Sequence, residues 1–194
     1  NLVIQAKKRI EEIAKRDGLS GVATGFEKLD ALTSGWQPSD LIIIAARPGM
    51  GKTALTLSMA RNIAVTQQTP VAFFSLEMSS VQLITRLISA ETGLSSEKLR
   101  TGKLASHEWE QLNVKVGDLE RAPLFIDDTP SLSIFDLRAK ARRLSSQHGI
   151  KLIVVDYLQL MTAGTSNKAG NREQEISTIS RNLKALAKEL DIPV

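Results

Sequence analysis

Gly51, Lys52 and Thr53 close a short loop, Arg47-Pro48-Gly49-Met50-Gly51, that follows the apolar run Leu41–Ala46 and leads into a helix-forming tract beginning at Ala54. Strand, glycine loop, Gly-Lys-Thr and helix in that order are the setting of a phosphate-binding loop. Glycines let backbone N–H groups approach phosphate oxygens, and the start of the following helix adds the positive end of its dipole. Lys52 can reach the outer phosphates, and the Thr53 hydroxyl can hold Mg²⁺. The candidate nucleotide-binding residues are therefore Arg47, Pro48, Gly49, Met50, Gly51, Lys52, Thr53 and Ala54. The strict pattern G-x-x-x-x-G-K-[ST] has glycine where this chain has Ala46. Alanine suits a strand end that needs no positive φ, so no loss of function is expected.

A phosphate loop needs a metal partner. Asp156 ends the apolar run LIVVD, the form of a Walker B strand, and its carboxylate is expected to hold Mg²⁺ together with Thr53. Hydrolysis also needs a group to orient the attacking water. Glu77, just after the strand VAFFSL, is the best candidate, although the same residue reads equally as an exposed Glu leading into a capped helix. Asp127 and Asp128, at the end of the strand PLFID, compete for the role. His107 stands beside an expected helix cap and is assigned no catalytic part; Trp109 is expected to pack in the core or a groove.

The elements that must position these residues alternate along the chain. Strands are predicted at 41–46, 71–76, 123–127 and 151–156, and Asp191–Val194 reads as the start of a fifth. Helices are predicted at 1–17, 53–65, from Ser79 to Gly93, near 96–100 and 106–116, from Ser133 to Gly149, and from Asn171 to Leu190. Ser79-x-x-Gln82 has the form of a capping box. The last helix carries Ile176, Ile179, Leu183, Leu186 and Leu190 at three- and four-residue steps. A short turn holds Phe26, Leu29 and Leu32, with Trp36 packing on the strand that follows. This alternation predicts an α/β fold with a doubly wound, mostly parallel sheet and helices on both faces. Ligand sites in such sheets lie at the strands' carboxyl ends, where the phosphate loop, Glu77, Asp127 and Asp156 all fall.

The chain has 194 residues, no cysteine and a formal net charge of +4. That length suits one domain with a real core. Without cysteine, disulfide and thiolate chemistry are excluded, which fits a reducing, cytoplasmic setting. No run approaches the ~20 apolar residues of a membrane span, and no signal-peptide h-region is read at the N-terminus. The basic excess permits nucleic-acid binding; its clusters at 7–9, 15–16 and 138–143 also suit solvated helix faces. The stripe Val3, Ala6, Ile10 and Ile13 is too short to hold a helix alone, so the first helix is expected to dock on its own domain or on a neighbouring subunit.

ARPGMGKTAL, FFSLEMS, LIVVDYLQLM and NREQEISTISRNLKALAKEL occur in this order and spacing. The chain thereby resembles the DnaB-type replicative helicases over nearly its whole length. The resemblance implies a RecA-like P-loop NTPase fold, a linker helix at 1–17 and an ATPase domain at 18–194 that is incomplete at its C-terminus. It implies ATP and Mg²⁺ as cofactors, single-stranded DNA as partner, and a homo-hexameric ring. It assigns Lys52 and Thr53 to phosphate and metal, Asp156 to the metal and Glu77 to activation of water. Arg86 is placed near the nucleotide and Gln159 near the site. The loop 162–172, with Lys168 and Arg172, is expected to face DNA in the ring's channel, an alternative to a plain surface loop.

Similar proteins continue past Val194 with the fifth strand, a second DNA-binding loop and an arginine finger. Regions partly outside this chain would recruit primase and a helicase loader. The rival readings are a recombination-type RecA-like ATPase, a small-molecule kinase, and a catalytically silent nucleotide-binding or oligomerisation module. A GTPase is excluded by the absence of Asn-Lys-x-Asp.

Overall fold

The computed structural model describes residues 2–14, 19–162 and 172–194. At its centre are three parallel strands in the order β2-β1-β3: β1 is Val71–Ser75, β2 Leu124–Asp127 and β3 Leu152–Asp156. Each lies within one residue of the apolar run that predicts it. Phe74 pairs with Asp127 and Ser75 with Asp156, so the three carboxyl ends are nearly level. The helices are α1 (Leu2–Ala14), α2 (Glu27–Thr33), α3 (Lys52–Arg61), α4 (Ser80–Thr92), α5 (Ser96–Thr101), α6 (Ser106–Arg121), α7 (Ile134–His148) and α8 (Arg172–Leu190).

β1 is buried throughout, and its side chains divide with the period of two that a strand imposes. Ala72 and Phe74 join Leu137 and Ala141 of α7 and Ile179 and Leu183 of α8. Val71 and Phe73 join Leu57 and Ala60 of α3 and Leu83 and Leu87 of α4 on the opposite side. Helices thus cover both faces, as a doubly wound sheet requires. Phe74 has no exposed surface, and Phe74→Ala is expected to cost about 3–5 kcal/mol, read as a lower denaturant midpoint.

Side-chain caps set the helix starts. Gln82 N–H donates to Ser79 Oγ, and the Gln82 side chain accepts from Ser79 N–H, completing the expected capping box. Ser133 likewise accepts from Asp136 N–H. Gly93 and Gly149 stop α4 and α7 in the left-handed conformation, at φ of 71° and 62°, which costs glycine little.

Several expectations are corrected. Leu41–Ala46 belongs to no strand: only Ile42 N–H, donating to Val194, and Asp40 C=O, accepting from Val194, make sheet-like bonds. Pro193 C=O in turn accepts from Ile153 N–H. The last two residues therefore lie between β3 and the run at 40–42, and past Ile42 that run finds no backbone partner among the described residues. The helix expected at 53–65 changes to a π-helical turn at Asn62–Thr66, where the Asn62 amide donates to Thr24 C=O.

Trp109 is 48% exposed, whereas Glu108 beside it is buried. Glu108 accepts from Lys98 Nζ and from Ala105 N–H, on the same side of α6 as Leu119, which packs against the core. These two bonds hold the Glu108 carboxyl below its usual pKa.

α1 leaves Leu2, Val3, Ile4 and Ile10 exposed and Ile13 half-buried, so most of its apolar stripe is uncovered by the described residues. Gly18, expected to stop that helix, lies outside the described residues. So do Lys15, Arg16, Lys168 and the Asn171 cap.

Candidate functional site

The loop before α3 turns at Pro48-Gly49, where Met50 N–H donates to Arg47 C=O. Gly49 and Gly51 adopt φ of 78° and 85°, in the left-handed region that disfavours a side chain. Ala46 is not among the positive-φ residues, in line with its tolerance at the strict motif's glycine position. Gly51 is the N-cap of α3 and supplies no side-chain acceptor. The N-termini of α4, α5 and α7, by contrast, are capped by Ser79, Ser95 and Ser133. The first amides of α3 are therefore available to an anion.

Lys52 begins α3, and its Nζ lies 3.6 Å from Asp156 Oδ1. It also lies 4.0 Å from the centroid of the Tyr157 ring. The loop lysine and the carboxylate at the end of β3 thus meet across the sheet's carboxyl edge. Thr53 follows on the same turn, half-buried, and its hydroxyl makes no hydrogen bond among the described residues. Asp156 is 3% exposed. One buried carboxylate at the end of β3, with an unpartnered hydroxyl on the residue after Lys52, suits Mg²⁺, which is held by one or two carboxylates plus substrate phosphates rather than by a protein cage. Among the described residues no three His, Cys, Asp or Glu side chains converge as such a cage. A groove of about 380 Å³ opens beside Lys52, Asp156 and Tyr157, between β3 and the run 41–46.

Glu77 stands one residue beyond Leu76, whose N–H donates to Asp156 C=O at 2.7 Å. It is exposed and makes no hydrogen bond or ion pair among the described residues. Its two competitors are both engaged. Asp127 accepts from Lys140 Nζ at 2.6 Å and from Thr129 N–H at 3.0 Å. Asp128 accepts from Ser80 N–H at 2.7 Å. Of the three carboxylates only Glu77 is uncommitted.

Burial opposes the charge on Asp127, but the Lys140 and Thr129 hydrogen bonds outweigh it and leave its pKa lowered. A carboxylate with a depressed folded pKa stabilises the fold above the unfolded value of ~3.9 and loses that contribution as pH falls through the folded value. Asp127→Asn is therefore expected to lower the melting temperature at pH 7 and to match the wild type at the acid end of the window. Thermal melts across pH check this.

Of the two further residues linked to the site by resemblance, Arg86 stands apart from this cluster and Gln159 lies near it. Arg86 is exposed on α4, with no hydrogen bond or ion pair to the loop. Gln159 lines the groove, and its carbonyl accepts from Arg172. Arg172 also pairs with Glu175, so it staples the turn Leu158–Leu160 that follows β3 to the start of α8. Most of the basic run on α7 is likewise consumed: Arg138 and Arg142 both pair with Glu189 of α8, and Lys140 with Asp127. Tyr157 was missed by sequence reasoning; its position directly after Asp156 is the one signal that pointed to it.

A parallel α/β sheet with a glycine loop, an uncapped helix start and a lysine–aspartate pair at its carboxyl edge defines a P-loop nucleotide-binding fold. Comparison with known proteins narrows the class. The family described as DnaB-like helicase C terminal domain matches residues 21–194. The chain is 49% identical over its full length to the replicative DNA helicase DnaB of Geobacillus stearothermophilus, covering 43% of that protein. It is 51% identical over its full length to that of Rhodothermus marinus, covering 21%. Among solved structures, one described as an ATPase domain superposes with a TM-score of 0.91 at 33% identity, covering the whole chain and 69% of that one. A DnaB-like replicative helicase, described with its interactions with primase, gives 0.87 at 34% identity over 97% of this chain and 46% of that one. The chain belongs to the DnaB-like helicase C-terminal domain family, and its fold is RecA-like. It spans less than half the length of these curated relatives.

Proposed function

We propose that this chain is the ATP-driven motor domain of a replicative DNA helicase, coupling ATP hydrolysis to movement along single-stranded DNA and to duplex unwinding. The observation that carries the reading is the meeting of Lys52 and Asp156 at the sheet's carboxyl edge, next to a helix start with no side-chain cap. In this reading the loop Arg47–Ala54 binds ATP, and Lys52 exchanges its contact with Asp156 for the outer phosphates. Thr53 and Asp156 would hold Mg²⁺, which when bound supplies neutralisation of phosphate charge. Glu77 orients the attacking water and accepts its proton. Arg86 reaches the nucleotide from α4 only if that side chain swings in.

The working form is a homo-hexameric ring around single-stranded DNA. Residues 1–17 act as a linker, and the exposed apolar stripe of α1 supports docking on a neighbouring subunit. Residues 18–194 are the ATPase domain. Primase and a loader engage the wider protein.

The test is unwinding of a forked duplex by a subunit containing this chain and extended past Val194, with its mass followed across protein concentration. Strand separation that needs MgATP and a ring-sized particle support the motor. Nucleotide binding by a ring that never separates strands would favour a silent oligomerisation module instead.

A further inference from the structure

The turn that presents Glu77 is held from both sides by side chains with no assigned part in the reaction. Ser75, the last residue of β1, is 1% exposed. Its hydroxyl donates to Met78 C=O at 2.7 Å and accepts from Met78 N–H at 3.3 Å. One buried oxygen thus closes the four-residue turn at whose outer edge Glu77 stands. Ser75 pairs in register with Asp156, so the base of this turn is tied to the strand that carries the expected metal ligand. Past the turn, Ser80 N–H donates to Asp128 Oδ2 at 2.7 Å, which fixes the start of α4 to the end of β2. Asp127 next to it is anchored by Lys140 and Thr129.

We propose that Ser75 and Asp128 are positioning residues for Glu77: they clamp the backbone on either side of it and so set the rate of hydrolysis without touching the nucleotide. The inference rests on the reading of Glu77 as the residue that orients water. Glu77 has no side-chain partner of its own among the described residues, so the direction of its carboxylate depends on the backbone that carries it. A buried serine at a strand end also satisfies its own hydroxyl, and that role alone would serve stability and leave catalysis unchanged. A misplacement of about 1 Å at a reacting group costs on the order of 100-fold, so a clamp of this kind has a kinetic signature.

The experiment compares Ser75→Ala, Asp128→Ala, Asp128→Asn and Glu77→Gln in a DNA-bound subunit extended past Val194. Folding is checked by thermal melts. Ser75→Ala and Asp128→Ala are expected to lower kcat about 10- to 100-fold with KM for ATP little changed. Asp128→Asn keeps a carbonyl acceptor for Ser80 N–H and should restore most of the rate. In a Glu77→Gln background, adding Ser75→Ala or Asp128→Ala should lower the residual rate no further.

A wild-type kcat in both alanine variants, with Glu77→Gln silent, would overturn the clamp and leave the Glu77 reading standing. So would a loss that persists undiminished in the Glu77→Gln background. Normal hydrolysis by Glu77→Gln would remove the reading itself and the clamp with it. If Ser75→Ala fails to fold, the exposed Asp128 pair of variants carries the test.

Discussion

Lys52→Ala is expected to abolish ATP turnover, with a fall in kcat/KM of at least about 10²–10³-fold, the loss typical when one preorganised electrostatic group is removed from a transition state. The lysine supplies a full positive charge beside Asp156, where the outer phosphates are expected. Its present partners, Asp156 at 3.6 Å and the Tyr157 ring at 4.0 Å, show that the side chain already lies at the sheet's carboxyl edge. The fold should survive the change. Breaking a fully buried ion pair costs about 3–5 kcal/mol, but the Lys52 side chain retains 26% of its surface, so water can reach the space it leaves. Circular dichroism should be unchanged, and calorimetry should show weakened or absent nucleotide binding. Unchanged turnover would move the phosphate site away from this loop.

Glu77→Gln separates binding from chemistry. The amide keeps the size and polarity of the side chain but cannot accept a proton from water. General-base catalysis is worth about 10²–10⁴-fold, so single-turnover hydrolysis should fall by that range while the Kd for ATP stays near the wild-type value. The structure narrows the alternatives through hydrogen bonding. Asp127 is committed to Lys140 and Thr129, and Asp128 to Ser80. Normal hydrolysis by the variant would send the search for the base to Asp127, at the cost of its bond to Lys140.

What could be read from the chain were features with local causes. Ser79-x-x-Gln82, Ser133, Gly93 and Gly149 set helix ends through bonds or φ values spanning a few residues, and each acts where expected. The strand runs were legible because both faces of β1 are buried, which leaves an uninterrupted apolar signature. The meeting of Lys52 with Asp156 was legible because the glycine loop leads directly into α3 and Asp156 ends an apolar strand run.

What escaped depends on partners far along the chain. Leu41–Ala46 has the composition of a strand, but a strand needs a ladder, and among the described residues only Val194 bonds to it. The buried position of Glu108 has its partner in Lys98, ten residues earlier. Arg138, Arg142 and Arg172 read as free basic residues until Glu189 and Glu175 are seen beside them. The clamp of Ser75 and Asp128 around Glu77 requires the register of three strands to be known.

The central claim is that this site drives a motor on DNA. It is tested most directly by the steady-state rate of ATP hydrolysis with and without single-stranded DNA, measured on this chain and on a form extended past Val194. The account predicts turnover stimulated by DNA in the longer form and lost in its Lys52→Ala variant. Hydrolysis in both forms at a rate indifferent to DNA would contradict it and favour a RecA-like ATPase that is not a helicase.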